Sequence, residues 1–235
     1  MLSKPNNIRI SVIIPAFNEE KSIPLVIKDI SKEWIDEVIV VSNNSTDNTD
    51  EVARAAGATV LRENRKGYGW ACLLGIEHAV KQKSDIIVFL DGDYSDYPEQ
   101  IPEVLAPILN DDIDMVIGSR ALGKKEKGSM TVPQIFGNWL ATNLMRLFYG
   151  VKYTDLGPFR AIKVEKLLEL NMSDKTYGWT IEMQIKAAKN KLTYREVPVN
   201  YKNRIGKSKV SGTVKGTVMA GVKILGAVFK YKFVK

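Results

Sequence analysis

The sequence predicts an α/β fold: a mostly parallel sheet covered by helices on both faces, followed by a C-terminal amphipathic helix. Three observations carry this. Apolar runs of strand length alternate with stretches of helical spacing through about residue 120. The runs are continuously apolar, as strands buried on both faces are. Polar clusters, "PAFNEE", "SNNS", "DGDYSD" and "GSR", follow four of the runs. In parallel sheets ligands bind beyond those carboxyl ends.

In order, "IRISVIIPAFNEE" (8–20) is a buried strand ending at Pro15 and leading into a polar loop. "KSIPLVIKDISKEW" (21–34) places Ile23, Val26, Ile27 and Ile30 at helical spacing. "DEVIVVSNN" (36–44) is a second buried strand. "STDNTDEVARAAG" (45–57) opens with capping residues and closes at Gly57, a helix stop. "ATVLRE" (58–63) is a short strand, and "GYGWACLLGIEHAVKQ" (67–82) is a helix entered through a Gly-rich turn. "IIVFL" (86–90) is a strand, "PEQIPEVLAPILN" (98–110) a helix and "DMVIGSR" (114–120) a strand. The second half is less regular. It reads as a helix near 132–149, a loop "TDLGPFRA" (154–161), a helix "TIEMQIKAAKN" (180–190), a strand "YREVPVNY" (194–201) and a basic tail.

Composition bounds the function. The 235 residues suit one large domain or two small ones, and 45% hydrophobic with 26% charged residues is an ordinary globular balance. One cysteine, Cys72, excludes an internal disulfide and fits a reducing compartment. One histidine, His78, in an apolar helical run, excludes a histidine-rich metal site and reads as structural. The formal charge of +7 is uneven: after Glu196 there are nine lysines and arginines and no acidic residue. Such a tail points to a polyanion, either phosphates or an anionic membrane surface, or is a solvated basic end. No nucleic-acid module accompanies it, so nucleic acid is not expected as a partner. The start "MLSKPNNIRI" has no apolar leader core, and no stretch reaches the roughly 20 apolar residues of a spanning helix.

The chemistry concentrates at "DGD". Asp91 and Asp93 flank Gly92 at a strand end, where the chain leaves the pleat and both carboxylates can point outward. Two close carboxylates raise each other's pKa unless a cation neutralises them. Oxygen ligands with few protein contacts suit Mg²⁺ or Mn²⁺, the shell being completed by phosphates and water. The plainer reading is an acidic turn capping the helix after Pro98.

Taken in order and spacing, "SVIIPAFNEE", "VSNNSTDNT", "VFLDGDYSDYPE" and "GSR" resemble the inverting family 2 glycosyltransferases. Their fold is GT-A, a Rossmann-like, mostly parallel sheet with helices on both faces. "TDLGPFRAIK", "YGWTIEMQIKAAKNKLTYREVPVNY" and "RIGKSKVSGT" look like the dolichyl-phosphate mannose synthase and polyprenyl-phosphate glycosyltransferase branch. The resemblance spans roughly residues 8–212, which implies a GT-A domain there and a separate basic helix over 213–235.

The resemblance implies roles by position. Pro15, Ala16, Asn18 and Glu19 line the nucleotide pocket, joined by Lys66, Gly67 and Gly92. Ser42 and Asn43 stand where many relatives carry acidic residues at the base or ribose. Asp91 and Asp93 hold Mg²⁺ or Mn²⁺ on the donor diphosphate. Ser95 stands where mannose synthases often have a glutamine that joins the metal. Ser119, Arg120, Arg204 and Lys209 handle the acceptor phosphate, and Asp93, Arg120, Arg204 and Lys209 carry the transfer. The implied reaction moves a sugar from a UDP- or GDP-sugar to a polyprenyl phosphate, dolichyl or undecaprenyl, on the cytoplasmic face of a membrane. An anionic phosphate acceptor needs no base. A hydroxyl acceptor would need one, for which Asp155 and Glu182 are the candidates. The rivals are a soluble phosphorylated or glycan acceptor, and a non-catalytic binding protein of the same fold.

The tail has Val214, Val218, Val222, Leu225 and Phe229 at three- and four-residue spacing, with Lys215, Lys223 and Lys230 beside them. This is the pattern of a basic amphipathic helix on a membrane surface, or of a helix packed on its own core. The apolar, aromatic "PQIFGNWLATNLMRLFYG" lines a lipid entrance, belongs to the core or forms a dimer contact.

Overall fold

A computed structural model of the chain describes residues 4–206 and 214–233; the side chains of 214–220 and 233 lie outside the description, as does Lys209. Seven strands form one sheet: β1 (Ile10–Ala16), β2 (Glu37–Asn43), β3 (Thr59–Glu63), β4 (Ile86–Phe89), β5 (Met115–Ser119), β6 (Arg160–Lys163) and β7 (Tyr194–Pro198). The order is β3-β2-β1-β4-β6-β5-β7. Parallel pairs join β3, β2, β1 and β4, with Ile13 opposite both Ile39 and Phe89. The expected mostly parallel sheet is present, with one insertion. β6 runs antiparallel between β4 and β5, pairing Phe89 and Ile117 on either side of Arg160.

Residues 154–161 are therefore not all loop, because the last two begin β6. The strand is short and opens with a fully buried arginine, which no apolar pattern announces. The Arg160 guanidinium donates to the carbonyls of Leu156, Gly157 and Thr180, and these replace the water it has lost.

Helices cover both faces: α1 (Ile23–Asp29), α2 (Thr49–Ala55), α3 (Tyr68–Lys81), α4 (Ile101–Asp111), α5 (Val132–Tyr149), α6 (Val164–Glu169), α7 (Trp179–Lys189) and α8 (Val214–Phe233). α1 stops before Ile30, earlier than its spacing predicts. One core layer gathers Val12, Ile14, Val40 and Val88 with side chains of α1, α2 and α4. The other gathers Ile13, Ile39, Ile87 and Phe89 with α3, α5, α7 and α8. Because successive strand residues point to opposite faces, β4 feeds both layers; each such fully buried side chain stabilises the fold by about 1.5–3 kcal/mol.

α5 is well terminated. Thr131 and Gln134 form a reciprocal capping box, and Gly150 closes the helix in a left-handed conformation. α8 packs on α5 and α7 and contributes Ala227 and Val228 to the core. The Tyr149 hydroxyl donates to the Val228 carbonyl at 2.6 Å. The opposite face leaves Val222 and Phe229 exposed. The packed reading of the tail holds for the face that carries Ala227 and Val228, whereas Val214, Lys215 and Val218 of the predicted stripe have side chains outside the description. Among the described residues no helix is long and apolar enough to cross a membrane.

Candidate active site

A cleft of about 400 Å³ opens at the carboxyl ends of β1 and β4. Its floor is the chain just past β4. Tyr94 takes a left-handed backbone, φ 63°, which turns the chain sharply. Ser95 then donates its N–H (2.9 Å) and its hydroxyl (2.5 Å) to Asp93 Oδ1. This is an Asx-type turn, and it fixes the Asp93 carboxylate before any ligand arrives. It also directs the Ser95 hydroxyl to Asp93.

Two backbone bonds bring the distant 202–205 segment onto this turn: Lys202 N–H to the Ser95 carbonyl and Ile205 N–H to the Asp93 carbonyl, both 2.9 Å. They deliver Arg204, whose guanidinium pairs with Asp93 Oδ2 at 2.7 Å and lies 3.8 Å from Glu19 Oε1. The Tyr68 hydroxyl donates to Asp91 Oδ1 at 3.2 Å. Burial, then the adjacent Asp93 carboxylate, pushes Asp91 up to about 7. A third carboxyl, Asp96, is buried behind them, and neither of its oxygens has a hydrogen-bond partner among the described residues. Burial, then Asp91 and Asp93, pushes it well up too.

Arg120, at the end of β5, lines the same cleft. Its backbone N–H, Nε and Nη2 all donate to the Asp155 carboxylate, at 2.7–2.8 Å. Burial would raise Asp155, but the Arg120 guanidinium outweighs it and holds the carboxyl below its usual range. Asp155 is 1% exposed. It is a buried counter-ion for Arg120 and not a free base, so the sequence-based base candidate is corrected. Glu182 is corrected on the same ground. Its carboxylate accepts from the Ser173 N–H and hydroxyl, Asp174 N–H and Tyr231 hydroxyl, and pairs with Lys186. It ties α7 to α8 and does not line the cleft.

The expected nucleotide residues divide. Pro15, Glu19, Asp91, Gly92 and Asp93 line the cleft. Ala16 is buried at the end of β1. Asn18 is left-handed, φ 54°, and braces the neighbouring loop by accepting from Thr46 N–H at 2.8 Å. Asn43 holds the 63–67 turn: its amide donates to the Glu63 and Arg65 carbonyls, and its Oδ1 accepts from Gly67 N–H. Ser42 is fully buried, Lys66 is exposed, and neither lines the cleft. Ser119 is buried, its hydroxyl bonded to Thr154.

Gly67 matters through what rests on it. With φ 147° it has a backbone that side-chain-bearing residues avoid, and a Cβ there would lie 2.0 Å from the Lys175 carbonyl. A Cβ at Gly69 would lie 2.1 Å from the Asp174 carbonyl. The 173–178 loop therefore lies directly on the start of α3. It presents Tyr177 to the cleft. Lys223 on α8 holds the loop by donating to Thr176 Oγ1 at 2.5 Å.

Sequence reasoning missed Phe17, Tyr68, Tyr177, Trp179 and Tyr201 as cleft residues. Phe17 and Tyr68 adjoin residues it did select. The others come from late segments whose approach no local signal reveals.

Among the described residues no group of three or more His, Cys, Asp or Glu side chains is placed to hold a metal alone. The Asp91–Asp93 pair fits a hard cation that draws the rest of its shell from water and diphosphate. The raised Asp91, beside the unpartnered carboxyl of Asp96, is a carboxylate cluster that such a charge would relieve.

A family model described as "Glycosyl transferase family 2" matches residues 11–170. The chain is 31% identical over 211 residues to the UDP-N-acetylglucosamine–dolichyl-phosphate N-acetylglucosaminyltransferase of Methanococcus voltae, covering 81% of this chain and 84% of that one. It is 27% identical over 238 residues to the undecaprenyl-phosphate mannosyltransferase of Micrococcus luteus, covering 95% and 96%. Its fold superposes on glucosyl-3-phosphoglycerate synthase of Mycobacterium tuberculosis, solved with Mn²⁺, UDP and glucosyl-3-phosphoglycerate. There the TM-score is 0.75 at 23% identity, covering 97% of this chain and 81% of that one. The match over more than half of the chain and the likeness in fold agree with the strand-end cleft, and the chain belongs to glycosyl transferase family 2, as a glycosyltransferase with the GT-A fold.

Proposed function

We propose that this glycosyltransferase moves a sugar from a UDP- or GDP-sugar to a polyprenyl phosphate at the cytoplasmic face of a membrane, in the branch that includes the dolichyl-phosphate mannose synthases. The observation that carries it is the cleft's charge pattern. Its carboxylates are Glu19, Asp91 and Asp93, its cations are Arg120 and Arg204, and the two candidate bases are engaged elsewhere. A phosphate acceptor is already a nucleophile at neutral pH and needs no base. Its oxygen attacks the anomeric carbon as the bond to the diphosphate breaks and the nucleoside diphosphate leaves with the electron pair. The dolichyl- and undecaprenyl-phosphate relatives support the same acceptor class.

Asp91 and Asp93 would hold Mg²⁺ or Mn²⁺, which when bound supplies charge stabilisation for the leaving diphosphate. Arg204 releases Asp93 and turns to phosphate, and Arg120 is held in line by Asp155. Pro15, Glu19 and the start of α3 enclose the nucleotide, with Lys66 and Gly67 at its rim. Asn43 acts by shaping that rim. Lys209 assists the acceptor phosphate, and α8 attaches the protein peripherally.

The test is a donor-by-acceptor screen read by mass spectrometry. UDP- and GDP-sugars are offered with Mn²⁺ and either a short polyprenyl phosphate or 3-phosphoglycerate. A glycosylated prenyl phosphate is expected. Product on 3-phosphoglycerate alone would replace this reading with the soluble-acceptor one.

A further inference from the structure

Two residues beside the carboxylate turn break local rules. Tyr94 holds φ 63°, a backbone that a bulky side chain adopts at a cost and that Gly or Asn adopts readily. Asp29 is the last residue of α1, where the helix dipole favours a cation. The two answer each other, because the Tyr94 hydroxyl donates to the Asp29 carboxylate. A turn alone does not call for tyrosine at 94, so the side chain is there for what it holds.

It holds Lys202. The Lys202 ammonium lies 3.2 Å from the centre of the Tyr94 ring and 4.5 Å from that of Tyr97. A cation seated on two aromatic rings is attracted by both. None of these three residues lines the cleft. The backbone of Lys202 nevertheless belongs to the strap that delivers Arg204. Tyr201 forms an antiparallel bridge with Asp96, and the N–H groups of Lys202 and Ile205 bond the turn on either side of Arg204.

The strap's other edge is held by the 124–126 segment. Tyr201 N–H donates to the Lys124 carbonyl, and Asn203 N–H to the Glu126 carboxylate at 2.8 Å. Beyond Asn203 the strap depends on the Ile205 bond and on the ion pair of Arg204 with Asp93. That pair opens when Arg204 turns to phosphate, so it is lost at the moment the guanidinium has to be aimed. The Lys202 seat uses no group of the cleft and persists through the step.

We propose that Lys202, seated on Tyr94 and Tyr97, is a positioning residue that keeps Arg204 over the departing diphosphate once the pair with Asp93 has opened. The inference rests on the roles given above to Asp93 and Arg204, and it is independent of the acceptor.

The test compares the full chain with K202M, K202R, Y94N, K202M/Y94N and R204A. UDP-glucose, UDP-N-acetylglucosamine and GDP-mannose are offered with Mn²⁺ to a short polyprenyl phosphate and to 3-phosphoglycerate, and the pair that turns over is used. K202M should lower kcat about tenfold with donor KM changed less than threefold, and K202R should restore kcat to within about twofold. Y94N should lower kcat as K202M does, although Asn suits the backbone better, and the double variant should be no slower than the slower single one. Hydrogen exchange of the 201–205 amides, with Mn²⁺ and UDP or GDP present, should quicken in K202M and not in K202R. Should K202M melt early, Y94N examines the seat from its other side. Wild-type kcat in K202M with R204A slow overturns this inference alone, as does K202R as slow as K202M, or a double variant with multiplied losses. Wild-type kcat in R204A overturns the role of Arg204 and this inference together. Where no pair turns over, hydrogen exchange decides, and unchanged exchange in K202M overturns the proposal.

Discussion

The cleft and the outer surface of α5 and α8 both carry cations, but they treat charge in opposite ways. In the cleft, Arg120 is bidentate to Asp155, Arg204 holds Asp93, and Tyr68 donates to Asp91. On the outer surface, Arg146 and Lys152 stand without carboxylate partners among the described residues, beside exposed Trp139 and Leu147. Paired buried charges fix geometry in advance of the substrate, whereas unpaired charges beside apolar surface leave a face for something else to cover. Changes in the cleft should therefore be felt in stability and turnover, and changes on the outer surface in partitioning alone.

The largest effect is expected from Asp93→Ala. It removes a proposed cation ligand and leaves Arg204 only its 3.8 Å pairing with Glu19, so Mn²⁺-dependent donor binding by calorimetry should fall by roughly 10²–10³-fold. Undiminished binding would dissolve the contrast at its strongest point. Arg204→Ala should slow transfer about a hundredfold while donor binding falls less.

Asp155→Asn comes next. It leaves a desolvated guanidinium facing a neutral amide, which should cost about 3–5 kcal/mol of unfolding free energy, measured by chemical denaturation. The pH dependence has a definite sign. The folded-state pKa of Asp155 lies below its unfolded value, so its contribution is complete above about pH 4 and lost as the pH falls through the folded value. The wild type should lose this increment in acid, and Asp155→Asn should show a correspondingly flatter acid limb.

α8 reaches the cleft through Gly221 and Ile224, and a smaller effect tests whether its hold on the 173–178 loop matters there too. Thr176→Val deletes the acceptor for Lys223 on the loop that roofs α3. It should weaken donor affinity by about threefold to tenfold, in keeping with one hydrogen bond to a charged donor. No change would show that the loop keeps its place on α3 without Lys223. The smallest effect is Leu147→Ser, which should leave stability within about 0.5 kcal/mol and lower vesicle partition slightly. A large loss of stability would show the ridge to be core.

Much of this was legible in the residues. β1, β2, β4 and β5 were readable because strands buried on both faces must be apolar throughout, and the polar clusters beyond them mark the cleft. The carboxylate pair was readable because its spacing is local. Partners were not. Asp155 and Glu182 look like available bases until Arg120, Ser173 and Tyr231 are brought to them from far along the chain. Asn43 looks like a ligand contact, yet it holds a turn. β6 was hidden because its first residue is a buried arginine, whose guanidinium donates to three carbonyls.

That inserted strand also has a consequence for how the protein is made. Until residues 160–163 pair with it, β4 presents an open edge of "IIVF" directly ahead of the carboxylate turn. A nascent chain shorter than this, or a fragment cut within 121–159, carries an apolar strand edge with nothing to cap it, the kind of template on which chains stack onto one another. The order of synthesis thus leaves a vulnerable interval between the emergence of β4 and the arrival of Arg160. Truncated forms ending in that interval should be recovered as aggregate, whereas the full chain closes the edge from within.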